Sequence, residues 1–195
     1  MSPTPGTPPR PLTIATCSLA GCFGCHMSFL DIDEALADLI DHIAFDRSPL
    51  TDLKHVHPDG VDIGLIEGGL CNHENVEVLR EFRARCKVLV AVGACAMYGG
   101  VPALRNGIPV AELMAEAYLN PAAQGKLGGP LHDAQLPQDP ELPPLLRAVL
   151  PVHEVVHVDL TLPGCPPPAE AFRQLILAQL AQRDLVLPLH LRHFD

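Results

Sequence analysis

The sequence predicts one α/β domain built on a parallel sheet. Short apolar runs of strand length alternate with amphipathic runs of helical period, and that alternation calls for parallel strands joined by helical crossovers. The chain has 195 residues, which suits one substantial core.

The elements follow in order. Met1–Arg10 carries four prolines and reads as a flexible arm, leaving 11–195 as the folded domain. Pro11–Ser18 is a short strand. From Phe29 the apolar residues recur at Ile32, Leu36, Leu39 and Ile43, while Asp31, Asp33, Glu34, Asp38 and Asp41 lie off that stripe, so an amphipathic helix is expected here with acids near its start. Val61–Glu67 is a strand. Glu74–Arg85 is a helix that turns Val76, Leu79 and Phe82 inward, and Lys87–Ala94 is a buried strand. Val110–Leu119 is a short helix. Residues 120–151 hold seven prolines and three glycines, too long for a plain connector, and read as a surface insertion with a short helix at Glu141–Leu150. Val155–Leu162 is a strand. Pro167–Arg183 is a helix whose first turn accommodates Pro167 and Pro168.

Composition narrows the function. Acidic residues outnumber basic ones 23 to 13, for a formal charge of −10, and no basic run exists, which argues against nucleic acid. There is no Trp and only two Tyr and six Phe, too few for a base-stacking platform. Apolar residues make up 48% and charged residues 18%, a balance that fits either a thick core or apolar surface reserved for a partner. Seven cysteines are too sparse for a secreted disulfide scaffold and point to a reducing, cytoplasmic setting.

Two segments imitate membrane signals. Leu19-Ala20-Gly21-Cys22 has the form of a lipobox, but the upstream stretch carries one basic residue and an interrupted apolar run. Val88–Leu104 is uncharged, yet Gly93, Gly99, Gly100 and Pro102 make it a strand running into a turn. Neither supports membrane attachment.

The cysteines follow the strands. Cys17 ends the first, Cys22 and Cys25 lie in its outgoing loop, and Cys71, Cys95 and Cys165 follow the next three; only Cys86 precedes a strand. Parallel strands deliver their outgoing loops to one sheet edge, where α/β proteins place their sites. A four-iron cluster needs four thiolates. Cys22-x-x-Cys25 supplies a pair beside Gly21 and Gly24, and Cys95 and Cys165 supply single thiols, the latter followed by Pro166 as in ferredoxin ligand runs. The quartet expected to hold metal is therefore Cys22, Cys25, Cys95 and Cys165.

Four ordered motifs then resemble a known family. Leu19-Ala-Gly-Cys-Phe-Gly-Cys-His-Met-Ser, Ile66-Glu-Gly-Gly-Leu-Cys-Asn, Val92-Gly-Ala-Cys-Ala and Leu162-Pro-Gly-Cys-Pro-Pro look like the small subunits of [NiFe]-hydrogenases, most of all those of the NAD-reducing soluble enzymes. The resemblance spans roughly residues 12–180. It implies a flavodoxin-like domain and one [4Fe-4S] cluster on Cys22, Cys25, Cys95 and Cys165. It also implies a large subunit holding the nickel–iron centre, and diaphorase subunits with further iron–sulfur clusters and FMN. Commoner members carry an export signal and a second domain with two more clusters. Thirty residues without cysteine follow Cys165 here, so one thiolate-held cluster is expected. Whether an FMN also sits beside that cluster stays open, since no Gly-rich phosphate loop is present.

The other residues weigh less. Cys17 is not a family ligand position and is expected to be a buried free thiol; Cys71 lies near the site without being a ligand; Cys86 is structural. His26 either hydrogen-bonds a cluster sulfur or is a surface or packed histidine. Glu67 either moves protons, contacts the large subunit, or is a capping or solvated acid. Three rivals remain. A thioredoxin-like motif would need neither Cys95 nor Cys165. A structural zinc site would use the same four ligands. The complex I subunit that carries the last cluster before quinone has two adjacent cysteines where this chain has Cys22-Phe-Gly-Cys25.

Overall fold

The computed structural model describes residues 10–120 and 136–193. The predicted arm up to residue 9, and residues 121–135 of the predicted insertion, lie outside the described residues.

Five strands form one sheet: β1 (Leu12–Ser18), β2 (Ile43–Phe45), β3 (Val61–Glu67), β5 (Cys86–Val92) and β7 (Leu160–Leu162). Their order is β2-β1-β3-β5-β7, and every pairing is parallel. This is the flavodoxin-like order, in which the chain reverses direction across the sheet between β1 and β3. The register aligns Ser18 with Glu67, Glu67 with Val92, and Val92 with Leu162, so four strands end in a single row.

Side-chain alternation along the strands builds two cores. Ile14, Ile63, Leu65, Val90 and Val92 face one side, where they meet Phe29, Phe172, Leu175 and Ile176. The helices on this face are α1 (Gly24–Leu30), α2 (Glu34–Leu39) and α6 (Ala169–Leu180). Ala15, Cys17, Ile66, Leu89 and Ala91 face the other side, against Leu79 and Phe82 of α3 (His73–Arg85). Cys86, at the start of β5, is buried on this second face; a Cβ on Gly64 would meet its Sγ at 2.5 Å, so the thiol fills the space that Gly64 leaves. Helices therefore cover both faces, as expected. Asn72 caps α3 by accepting the Asn75 N–H at 2.8 Å, and Glu74 in its first turn complements the helix dipole. The short helix expected further on is α5 (Val110–Leu119).

Four expectations need correction. The helix expected from Phe29 to Ile43 is two short helices: the first ends at Leu30 with Asp31 as its C-cap, and the second starts only after Asp33, whose positive φ of 57° takes the chain off the helical path. Ile43 then opens the edge strand β2. The strand expected through Ala94 stops at Val92, and α4 (Gly93–Tyr98) begins at once. The helix expected at Glu141–Leu150 is a strand, β6 (Leu145–Leu150), antiparallel to β4 (Leu70–Asn72). Pro143 and Pro144 bias the residues before them away from helix, and β4 offers an edge to pair with. The strand expected at Val155–Leu162 pairs only from Leu160, because the Asp159 carboxylate accepts the Leu89 N–H at 2.7 Å in place of a ladder carbonyl.

At the opposite end of the sheet, Asp62 ties three strands. It accepts from Thr13 N–H and Oγ1 (both 2.9 Å), from Arg10 (2.6 and 2.8 Å) and from Lys87 Nζ (2.9 Å). Burial opposes its charge, but the bonds from Arg10, Lys87 and Thr13 overcome this and hold its pKa well below the usual carboxylate range. A depressed folded-state pKa stabilises the fold above the unfolded-state value, and the effect fades as pH falls towards the folded one. Asp62→Asn is therefore expected to lower stability by roughly 1–2 kcal/mol at pH 7. The difference from wild type should shrink below about pH 4, as measured by urea unfolding across pH.

Candidate metal centre

Beyond the row of strand ends, the outgoing loops close around one concavity of about 360 Å³, its open mouth included. Gly21, Cys22, Gly24 and Cys25 of the first loop line it, with Glu67 and Gly68 of the second, Ala94 and Cys95 of the third, and Gly164, Cys165 and Pro166 of the fourth. All four expected ligands are thus brought together, at the edge where the strand order predicts a site.

Main-chain bonds hold the loops to one another. Leu19 N–H donates to Glu67 O (2.9 Å), and Ala20 and Gly69 exchange bonds in both directions (3.0 and 2.8 Å). Ala94 N–H donates to Gly164 O at 2.9 Å, joining the third loop to the fourth. Ser28 Oγ donates to Pro167 O at 2.6 Å, joining α1 to the fourth. The thiols occupy space that only glycine leaves. A Cβ on Gly93 would meet Cys25 Sγ at 2.5 Å, and one on Gly100 would meet Cys95 Sγ at 2.6 Å; both glycines also have positive φ, 78° and 52°.

The electrostatics record the convergence. Burial pushes the Cys25 thiol far up, followed by the charges of Glu67, Cys95, Cys22 and Cys165. Cys95 is raised by burial too, against a hydrogen bond from the Val101 backbone N–H, with Cys165, Cys22 and Glu67 adding to the rise. Four thiolates so placed repel one another, and cationic metal is what stabilises such a set. Among the described residues no three His, Cys, Asp or Glu side chains are spaced to hold a single metal ion. Four thiols lining one concavity are a donor set that suits either a structural zinc ion or an iron–sulfur cluster.

The remaining thiols separate as expected. Cys17 points into the second core, its pKa pushed up to about 11 by burial above all. Cys71 lies in β4 and bonds Asn75 Oδ1 at 3.3 Å, outside the concavity. All seven cysteines are free, so Cys22 and Cys25 form no disulfide. His26 is buried, with Nδ1 2.9 Å from Glu67 Oε2 and Nε2 2.9 Å from Thr16 Oγ1. Both ring nitrogens are engaged, which favours the packed reading over a bond to a cluster sulfur. Sequence reasoning missed this pairing, because His26 and Glu67 are 41 positions apart and leave no local signal.

Over residues 22–179, a span that includes all four thiols, the chain matches the NADH ubiquinone oxidoreductase 20 kDa subunit family, and it belongs to that family. It is also similar to hydrogenase subunits, and the chain is a small subunit of the [NiFe]-hydrogenase type. It is 41% identical over 184 residues to the delta subunit of the NAD-reducing hydrogenase HoxS of Cupriavidus necator, covering 94% of this chain and 86% of that one. It is 37% identical over 178 residues to a subunit of the F420-non-reducing hydrogenase of Methanothermobacter marburgensis; that match takes in 91% of this chain but only 56% of the archaeal one. A crystal structure of an NAD+-reducing [NiFe]-hydrogenase in the H2-reduced state contains a chain 49% identical to it. The two superpose with a TM-score of 0.88, covering 95% of this chain and 100% of that one.

Burial separates the thiols in a way that labelling reads out. In metal-free, reduced protein, iodoacetamide should modify the exposed Cys22 and Cys165 first. The buried Cys17, and Cys86, whose pKa is pushed up to about 12 chiefly by burial, should react last, as followed by peptide mass spectrometry.

Proposed function

We propose that this chain is the electron-relaying small subunit of a cytoplasmic NAD-reducing [NiFe]-hydrogenase, with Cys22, Cys25, Cys95 and Cys165 holding one [4Fe-4S] cluster. The convergence of those four side chains on one concavity carries the reading. When bound, such a cluster supplies one-electron transfer. The chain's own residues supply position and environment. The loops fix the four sulfurs, Glu67 lines the concavity beside them, and Phe29, Val92 and Phe172 pack behind Cys25. The nickel–iron centre would belong to a large subunit, because this chain has no second pair of Cys-x-x-Cys motifs. Electrons released there would cross this subunit towards diaphorase subunits with iron–sulfur clusters and FMN.

Electron transfer requires a close partner, so the large subunit should cover the mouth of the concavity. Exposed apolar residues lie close in sequence to two of its thiols. Val101 and Leu104, in the 3-10 turn Val101–Gly107 that follows Cys95, are 71% and 78% exposed, and Tyr98 and Met27 are exposed nearby in sequence to Cys95 and Cys25. Among the described residues no helix is long and apolar enough to cross a membrane.

Two outcomes test this reading. Anaerobically purified complex should yield about four irons and four sulfides assignable to this chain. Cys165→Ser should lower both and abolish hydrogen-dependent NAD reduction, whereas Cys17→Ser should change neither; zinc in place of iron, or equal effects of the two substitutions, would overturn the assignment. Leu104→Glu should leave the iron content of this subunit intact but weaken its co-purification with the large subunit by on the order of ten-fold, as a lost interface anchor does.

A further inference from the structure

We propose that Glu67, His26 and Phe23 form a clamp that presets the Cys22–Cys25 loop, with Glu67 and His26 acting as positioning residues for its two thiols. The inference rests on the reading that this pair holds a cluster.

Glu67 grips the loop at both ends. Upstream, its main-chain oxygen accepts Leu19 N–H at 2.9 Å and its Oε1 accepts Ser18 Oγ–H at 2.8 Å. Downstream, its Oε2 accepts His26 N–H at 2.8 Å and lies 2.9 Å from His26 Nδ1. One residue at the end of β3 thus brackets the segment that carries both thiols. Glu67 is 3% exposed and His26 5%, so neither is held by solvent. A carboxylate this deeply buried is stable only with its acceptors filled, and here three donors converge on the side chain.

The ring of His26 passes the constraint on. Thr16 Oγ1 fixes its far edge at 2.9 Å and is itself 2.7 Å from Ser48 Oγ. Against its face lies the Phe23 ring, with centroids 4.7 Å apart and planes within 6°. Phe23 sits between the two thiols at φ 67°, a region a bulky aromatic residue rarely adopts. Stacking on an immobilised ring offsets that cost. It leaves the Gly24 N–H 3.4 Å from Cys22 Sγ, turned towards it. Conserving the hydrogen bonds should therefore matter more than conserving the charge. In Glu67→Gln the amide oxygen can accept both His26 N–H groups while its NH2 donates to Ser18 Oγ; Glu67→Ala can do neither.

The test compares the wild-type complex with Glu67→Gln, Glu67→Ala and Phe23→Gly. It measures iron and sulfide content, the EPR line shape of the reduced protein, iron release to a chelator, and amide hydrogen exchange over residues 19–26. Glu67→Ala should broaden the EPR signal, speed iron release on the order of ten-fold and speed exchange, whereas Glu67→Gln stays close to wild type in all three. Phe23→Gly removes the backbone strain, so its thermal midpoint should not fall, yet its EPR line shape should change. The clamp is overturned if Glu67→Ala matches wild type in line shape and exchange, or if Glu67→Gln is as impaired as Glu67→Ala. An unchanged EPR signal in Phe23→Gly together with a higher midpoint would also overturn it. If Glu67→Ala does not fold, the other two variants decide. If the wild-type complex holds no iron or sulfide, the cluster reading falls, and exchange in Glu67→Ala against Glu67→Gln still decides the clamp.

Discussion

The site depends on one geometric constraint, the parallel register that ends β1, β3, β5 and β7 in a single row. Ser18, Glu67, Val92 and Leu162 lie side by side across the sheet. Cys22, Cys95 and Cys165 follow three of these residues by four, three and three positions, so each strand delivers its thiol to nearly the same height above the sheet. A register slip of one residue in any of these strands would turn its core side chains to the wrong face, so the packing that selects the register also selects the site. The two cores are substantial, with Ile14, Ile63 and Val90 buried on one face and Ile66, Leu79 and Leu89 on the other.

Much of this was legible in the sequence, and the reasons are physical. Strand identity came from uninterrupted apolar runs such as Val88–Val92, which no amphipathic helix would show. The convergence of Cys22, Cys25, Cys95 and Cys165 was legible because parallel topology converts position after a strand into position in space. What was not legible depended on tertiary partners. β6 was mistaken for a helix because its pattern is ambiguous over six residues, and only its pairing with β4 settles it. The break before Glu34 was hidden by an apolar stripe that continues through it; Phe29, Leu39 and Ile43 are all buried although they lie on three different elements, and so is Ile32 in the turn between the two helices.

His26 and Glu67 show the same limit at the site. Each was visible as a residue of interest, one beside a thiol and the other at a strand end, but the pairing between them depends on how α1 crosses back over the sheet. Their burial shows that the polar part of this centre is not a rim facing solvent. It reaches inward from the concavity, from Glu67 through His26 and Thr16 to Ser48, within the side of the sheet that also holds Phe29 and Phe172.

This arrangement bears on the cost of gathering four thiols at one site. In a small zinc-binding domain the metal supplies the folding free energy, and the apo chain is disordered. Here the loops are joined by main-chain bonds at Leu19, Ala20, Gly69 and Ala94, and the glycines that make room for the sulfurs are set by the backbone itself. With the four thiols binding metal as proposed, these main-chain bonds would let folding of the two cores meet part of the ordering entropy of the loops. Burial first, and the neighbouring charges after it, raise Cys25 and Cys95, so the proposed metal would bind with loss of the thiol protons.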